Sequence, residues 1–135
     1  MHITLEADYA VRIVHYLAVE GKRTDAKAIS RQTGVTLRFA LKILRKLVVS
    51  GIVCSFKGTQ GGYEIARPLE EISLKDVIET VEGPYALSRC IDSEDYVCTN
   101  PNGGCDCSFQ KVFADISDMV NEKLASVHFS DIVKS

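Results

Sequence analysis

No stretch of this sequence approaches the ~18 consecutive apolar residues that a membrane-spanning helix needs. Its first twenty residues carry Glu6, Asp8, Arg12, His15 and Glu20, which a secretory apolar core would not tolerate. There is no Ser-His-Asp set, no phosphate-cradling glycine loop and no carboxylate pair in a recognisable frame. The three histidines, at 2, 15 and 128, have no metal-ligand spacing. An enzyme is therefore not expected. Internal repeats and low-complexity segments are also missing. Cysteine occurs five times, and an odd number speaks against a simple disulfide framework. The expected location is the cytoplasm, where thiols are reduced, metal-bound or reactive.

What is present is an ordinary globular balance, with 46% apolar and 25% charged residues in 135. That length fits one domain, or one domain with an accessory element. The net charge of −2 hides a division: residues 1–67 hold 11 Lys/Arg against 5 Asp/Glu, and residues 68–135 hold 5 against 13. A half at +6 joined to a half at −8 suggests that the first meets a polyanion and the second does not. Chance segregation over a solvated surface is the bland alternative.

Ala10, Ile13, Val14 and Leu17 recur at helical spacing and predict a helix over about 5–20, stopped at Gly21. Thr24 or Asp25 can cap a second helix to about 33, ended by Gly34. Thr36 can cap a third, over about 37–50, with Ala40, Ile43, Leu44 and Leu47 as its buried stripe. Arg38, Lys42, Arg45 and Lys46 lie largely off that stripe, toward solvent or a ligand. After Gly51 the period changes. Residues 52–56 and 63–66 read as short strands around a tip, 57–62, with three glycines. Ser73 to Asp76 form a capping-box pattern that opens a helix to about Glu82, stopped by Gly83-Pro84. Residues 85–107 read as a loop with four of the five cysteines. A last helix, about 109–125, places Phe109, Val112, Phe113, Ile116, Val120 and Leu124 near an a/d seam.

Two short helices separated by Gly34-Val35-Thr36 form a helix-turn-helix, and the hairpin that follows adds a wing. The fold class expected is mainly α with a small β-hairpin, a winged helix-turn-helix with a long C-terminal helix. A helix fits the major groove of a duplex, so the first residues of the third helix, Thr36, Leu37 and Arg38, with Lys42, would meet base edges. Lys57 and Gln60 at the wing tip would reach phosphate or the flanking minor groove. The caps at Thr24 and Thr36 are further candidates for phosphate contact. A three-helix unit that binds only protein is the competing class.

Cys90, Cys98, Cys105 and Cys107 are separated by seven, six and one residues. Clustered thiols become thiolate ligands when a metal deprotonates them. An iron–sulfur cluster, a four-cysteine zinc site and a metal-free thiol switch all suit such a set. Zinc usually takes shorter knuckles than these. Cys54, in a strand, reads as a small core residue, and His15 as helix-face packing.

These residues resemble a known family. Ile3-Thr4-Leu5, Asp8-Tyr9-Ala10-Val11-Arg12 and Tyr16-Leu17-Ala18 are similar to the opening of the Rrf2 family of winged-helix regulators. Leu44 to Leu47, Gly51-Ile52-Val53, Lys57-Gly58 and Gly61-Gly62-Tyr63 resemble its recognition-helix end and wing. The helix to Glu82 with Gly83, the cysteine loop and His128 to Val133 fit as well. The resemblance implies a homodimer, built on the last long helix, that binds a near-palindromic operator in double-stranded DNA; the action expected of it is repression. It also implies an iron–sulfur cluster, of two or four irons, sensing nitric oxide, redox state or iron–sulfur status. Cys90 and Cys98 occupy the first two ligand places. Counting back from Phe113 gives Cys107 as the third, with Cys105 beside it as alternate or fourth. The Cys-Asp-Cys run and the seven-residue spacing depart from the family pattern. Asp8 matches a carboxylate ligand that one branch donates across the dimer; the plain alternative is a charge favoured by the helix dipole. Another branch is metal-free and answers to thiol oxidation or a partner protein. The organisation expected is a winged helix-turn-helix over 1–67, a connecting helix over 68–84, a cluster-binding loop over 85–108 and a dimerisation helix with tail over 109–135.

Overall fold

The computed structural model describes residues 2–101 and 107–134. Helix α1 (Leu5–Glu20) opens with the Thr4 hydroxyl accepting from the Ala7 amide and closes at Gly21 in the left-handed conformation. Its buried side, Ala7, Ala10, Ile13, Val14 and Leu17, is the stripe the sequence spacing predicts. Helix α2 (Ala26–Thr33) is capped by Asp25, whose carboxylate accepts from the Ala28 amide. Thr24 is therefore not the cap. It is buried, pairs with Tyr63 through both backbone groups, and its hydroxyl donates to the Lys22 carbonyl at 3.1 Å, so it is turned inward and offers no hydroxyl to a phosphate. Helix α3 (Leu37–Val49) starts at Thr36, which accepts from the Phe39 amide.

Strands β1 (Val53–Phe56) and β2 (Gly62–Ile65) form an antiparallel hairpin in which Val53 faces Ile65 and Phe56 faces Gly62. The hairpin is completed at one side by the Thr24–Tyr63 bridge, which ties it to the turn between α1 and α2. Cys54 is half-buried rather than in the core, because the strand alternation gives the inward place to Val53.

A 3₁₀ turn (Leu69–Glu71) leads to α4 (Leu74–Glu82), where the capping box is complete: Ser73 and Asp76 each accept the other's backbone amide. Within the expected loop lies a short helix α5 (Arg89–Asp92), and beyond it α6 (Ser108–Ser126). The tail folds further, into α7 (Phe129–Lys134). Its Phe129 is fully buried in the same cluster as Ile13, Leu17, Ile43, Leu44 and Ile72. Ser73 and His128 form a bridge that seats α7 beside the start of α4. Helix α1 is the hub, packed on α2, α3, α4 and α7. Helix α6 leaves this core and touches it mainly through α4 and α5. No helix among the described residues is long and apolar enough to cross a membrane.

Candidate functional site

The α2–Gly34–α3 unit and the hairpin present the basic residues singled out from the sequence. Thr36, Leu37, Arg38 and Lys42 are all exposed at the start and outer face of α3. The buried stripe Ala40, Ile43, Leu44 and Leu47 turns that face outward by packing the opposite one. Leu37 is 37% exposed, a large apolar side chain that the fold leaves uncovered. Such a group suits contact with a thymine methyl. Arg45 is exposed too, but Lys46 is not available as the sequence suggested: its Nζ lies 2.6 Å from Glu6 Oε1. That pair fastens α3 to α1 instead.

Lys57 and Gln60 stand exposed on the wing tip. The tip turns on the Gly61 amide donating to the Gly58 carbonyl at 2.9 Å. Neither Arg38 nor Lys57 forms an ion pair among the described residues, so their charge faces outward uncompensated. An exposed cationic helix start and an exposed cationic hairpin tip are the two parts by which a winged helix engages a duplex.

The second set lies on the acidic side. Cys90 is in α5, Cys98 in the segment after it and Cys107 at the start of α6; all three are free thiols. Cys90 Sγ is 3.1 Å from the Ser88 hydroxyl, and its carbonyl accepts from Gln110 of α6 at 3.5 Å. Cys98 is exposed and its sulfur accepts from the Asn100 amide. Cys105 lies outside the described residues. Among the described residues no three of His, Cys, Asp and Glu come together as a metal-holding group. In donor type and number Cys90, Cys98 and Cys107 suit an iron–sulfur centre, which takes thiolates, but the described residues do not bring them together.

Asp8, half-buried in the first turns of α1, pairs with Arg12 at 2.7 Å within its own chain. Arg12 also donates to the Thr33 carbonyl at the end of α2. His15 is half-buried beside Arg12, Tyr16 and Thr33, a packing role. A cleft of about 650 Å³ brings the start of α1 (Ile3, Thr4, Glu6) against Leu87 and Asp92, at the opening of the thiol segment. Two features had no sequence signal. One is Arg23, which reaches the wing from the α1–α2 turn. The other is Met119, 69% exposed, which extends the apolar face of α6 where Phe109 (67%) and Val112 of the expected seam stand exposed.

The model of the Rrf2 family, described as an iron-dependent transcriptional regulator, matches residues 3–135. The chain belongs to the Rrf2 family. Among relatives of this Rrf2 chain is protein aau3 of Rhizobium meliloti (strain 1021), 34% identical over 99 residues, 73% of this chain and 64% of that protein. The chain spans just under two thirds of the length of that relative. Among solved structures, T. potens IscR superposes with a TM-score of 0.77 at 22% identity, covering 99% of this chain and 87% of that one. CymR, the global cysteine regulator of B. subtilis, superposes with a TM-score of 0.79 at 22% identity over 99% and 97%. These likenesses establish the Rrf2 winged-helix fold. A family of regulators gives no reason to look for a catalytic centre.

Proposed function

We propose that this Rrf2 chain is a dimeric, DNA-binding transcriptional regulator, acting as a repressor, whose grip on its operator is set by an iron–sulfur cluster held on the 85–108 segment. The observation that carries the DNA half is the outward, unpaired charge of Arg38 and Lys57 on two elements that a single duplex can meet together. Thr36, Leu37, Arg38 and Lys42 read base edges, while Lys57 and Gln60 hold the flanking backbone. The exposed apolar face of α6 serves as the seam with a second copy.

Cys90, Cys98 and Cys107 would hold the cluster, with Cys105 as alternate or further thiolate and Asp8 of the second copy as the carboxylate ligand. Bound there, the cluster supplies a labile inorganic centre that responds to nitric oxide, oxygen or iron supply. The protein's part is to couple the thiol segment to the winged halves. Helix α5 packs on α6, and α6 packs on α4, which packs on α1 and α3. An ordered 85–108 segment therefore bears on how the two α3 helices of a dimer are spaced. Spacing near one helical turn of DNA, about 34–36 Å, leaves little tolerance. A coupling of about 1–3 kcal/mol gives roughly 5- to 150-fold regulation.

The test is anaerobic purification with iron and sulfide assays, then DNA binding before and after nitric oxide. The expected result is brown protein whose operator affinity changes as visible absorbance is lost. Replacing Cys90, Cys98 and Cys107 together by Ser abolishes both the colour and the response. A metal-free thiol switch is the second reading, favoured by the free thiols of Cys90, Cys98 and Cys107 and by the likeness in fold to CymR, a global cysteine regulator. Colourless anaerobic protein whose DNA affinity follows thiol oxidation would replace the cluster with that switch. Colourless protein with stoichiometric zinc would replace it with a structural metal.

A further inference from the structure

Arg23 is a basic residue next to the proposed DNA face, yet its guanidinium is engaged within the chain. Its central carbon lies 3.4 Å from the centroid of the Phe56 ring, and Nη1 donates to the Gln60 carbonyl at 3.1 Å. Phe56 ends the outgoing strand of the wing and Gln60 stands near the start of the returning one. One side chain therefore grips both legs of the tip. The neighbouring backbone fixes the base of the same clamp. The Thr24 amide donates to the Tyr63 carbonyl at 2.9 Å, and the Tyr63 amide to the Thr24 carbonyl at 2.8 Å.

The tip needs such a hold. A two-stranded hairpin of four paired residues is marginal by itself. Residues 57–60 are all exposed, so no core packing orients them. Within the tip, the Gly58–Gly61 hydrogen bond sets the turn but not its angle to the helices. A planar guanidinium can stack on a ring while its edge donates to a carbonyl; an ammonium cannot do both in one place.

We propose that Arg23 is the positioning residue of the wing. It holds the Lys57–Gly61 tip at the angle from which Lys57 and Gln60 meet the duplex, and makes no phosphate contact of its own. This rests on the nucleic-acid reading above, and the two can fail separately.

The experiment uses the full chain with Arg23→Gln, Arg23→Lys, Lys57→Gln and the Arg23→Gln/Lys57→Gln double variant. The probe is a duplex selected by the unaltered protein from a random-sequence pool. Binding is measured across a salt series, and amide hydrogen exchange is followed without DNA. Arg23→Gln should weaken binding roughly 3- to 30-fold, the worth of one stacked, hydrogen-bonded cation, with the salt slope lowered no further than Lys57→Gln lowers it. Lys57→Gln should reduce that slope by about 0.9, as a lost phosphate contact does. The double variant should bind little worse than Lys57→Gln alone, because Arg23 acts through the tip. Arg23→Lys, which keeps the charge, should not restore affinity. Exchange at residues 57–63 should speed up in both Arg23 variants while α1 and α3 stay protected.

A salt slope lower in the double variant than in Lys57→Gln alone would make Arg23 a phosphate contact of its own and overturn the proposal. So would unchanged affinity together with unchanged exchange at the tip. If the unaltered protein selects no duplex, the nucleic-acid reading fails, and exchange at the tip alone then decides whether Arg23 orients the wing.

Discussion

Gly62 stands where a side chain has no room. A Cβ there would lie 2.6 Å from the Thr24 carbonyl oxygen, and the residue's φ of +151° is one that L side chains rarely adopt. The consequence is that the wing can close against the α1–α2 turn only with glycine at this place. Gly62→Ala should lower stability by more than about 1 kcal/mol and weaken DNA binding further than it lowers the melting temperature, since the lost bridge carries the wing. Paired thermal melts and binding isotherms check this. Arg38 gives the complementary case on α3. It is exposed, and its substitution by Ala should leave the melting temperature nearly unchanged. It should cost about 1–3 kcal/mol of operator binding and relax preference at one base position. A selection experiment on randomised half-sites reads that loss; equal preference at every position would assign Arg38 to the phosphate backbone instead.

At the scale of elements, what the sequence disclosed follows the length of the periodic signal. Helices α1, α3, α4 and α6 run for 16, 13, 9 and 19 residues. That is long enough for a stripe to repeat and for caps such as Thr36 and Ser73 to mark the ends. Helix α5, of 4 residues, and α7, of 6, offer no full period. Their formation depends on contacts from distant segments, α6 for the one and α1 with the 3₁₀ turn for the other. Thr24 was ambiguous for a related reason. A threonine before an aspartate suits either a cap or a bridge, and only the hairpin's return path decides. Of the candidate site, the exposed α3 and wing residues were legible from amphipathic spacing. The engagement of Lys46 with Glu6, forty positions away, was not. The seam of α6 was legible as a pattern, and its exposure gives a test. Phe109, Val112, Ile116 and Met119 face outward while Ser117 alone of this helix is buried. Val112→Glu with Ile116→Glu should therefore yield a folded monomer, with the α1–α4 core intact by circular dichroism and half the mass by sedimentation. Aggregation or global unfolding would mean that α6 serves the chain's own core instead.

For the proposed dimer, the decisive quantity is the geometry between two cationic halves. The +6 of residues 1–67 would give each half a salt-sensitive hold on a phosphate backbone. One half on its own binds weakly, and linking two converts the second contact into an intramolecular step that raises affinity without new contacts. That gain exists only when both α3 helices face the same side of the duplex. A selected operator should therefore be near-palindromic, with half-site centres about one turn, 34–36 Å, apart. Inserting five base pairs between the half-sites rotates one of them to the far side, and affinity should fall to that of an isolated half-site. The α6 double variant should bind the intact operator at that same reduced level and be indifferent to the insertion. If the unaltered protein tolerated five inserted base pairs, the halves would be joined flexibly. Order in the 85–108 segment would then have no spacing to control, and regulation through it would have to act within one subunit, along the contacts of α4 with α1 and α3.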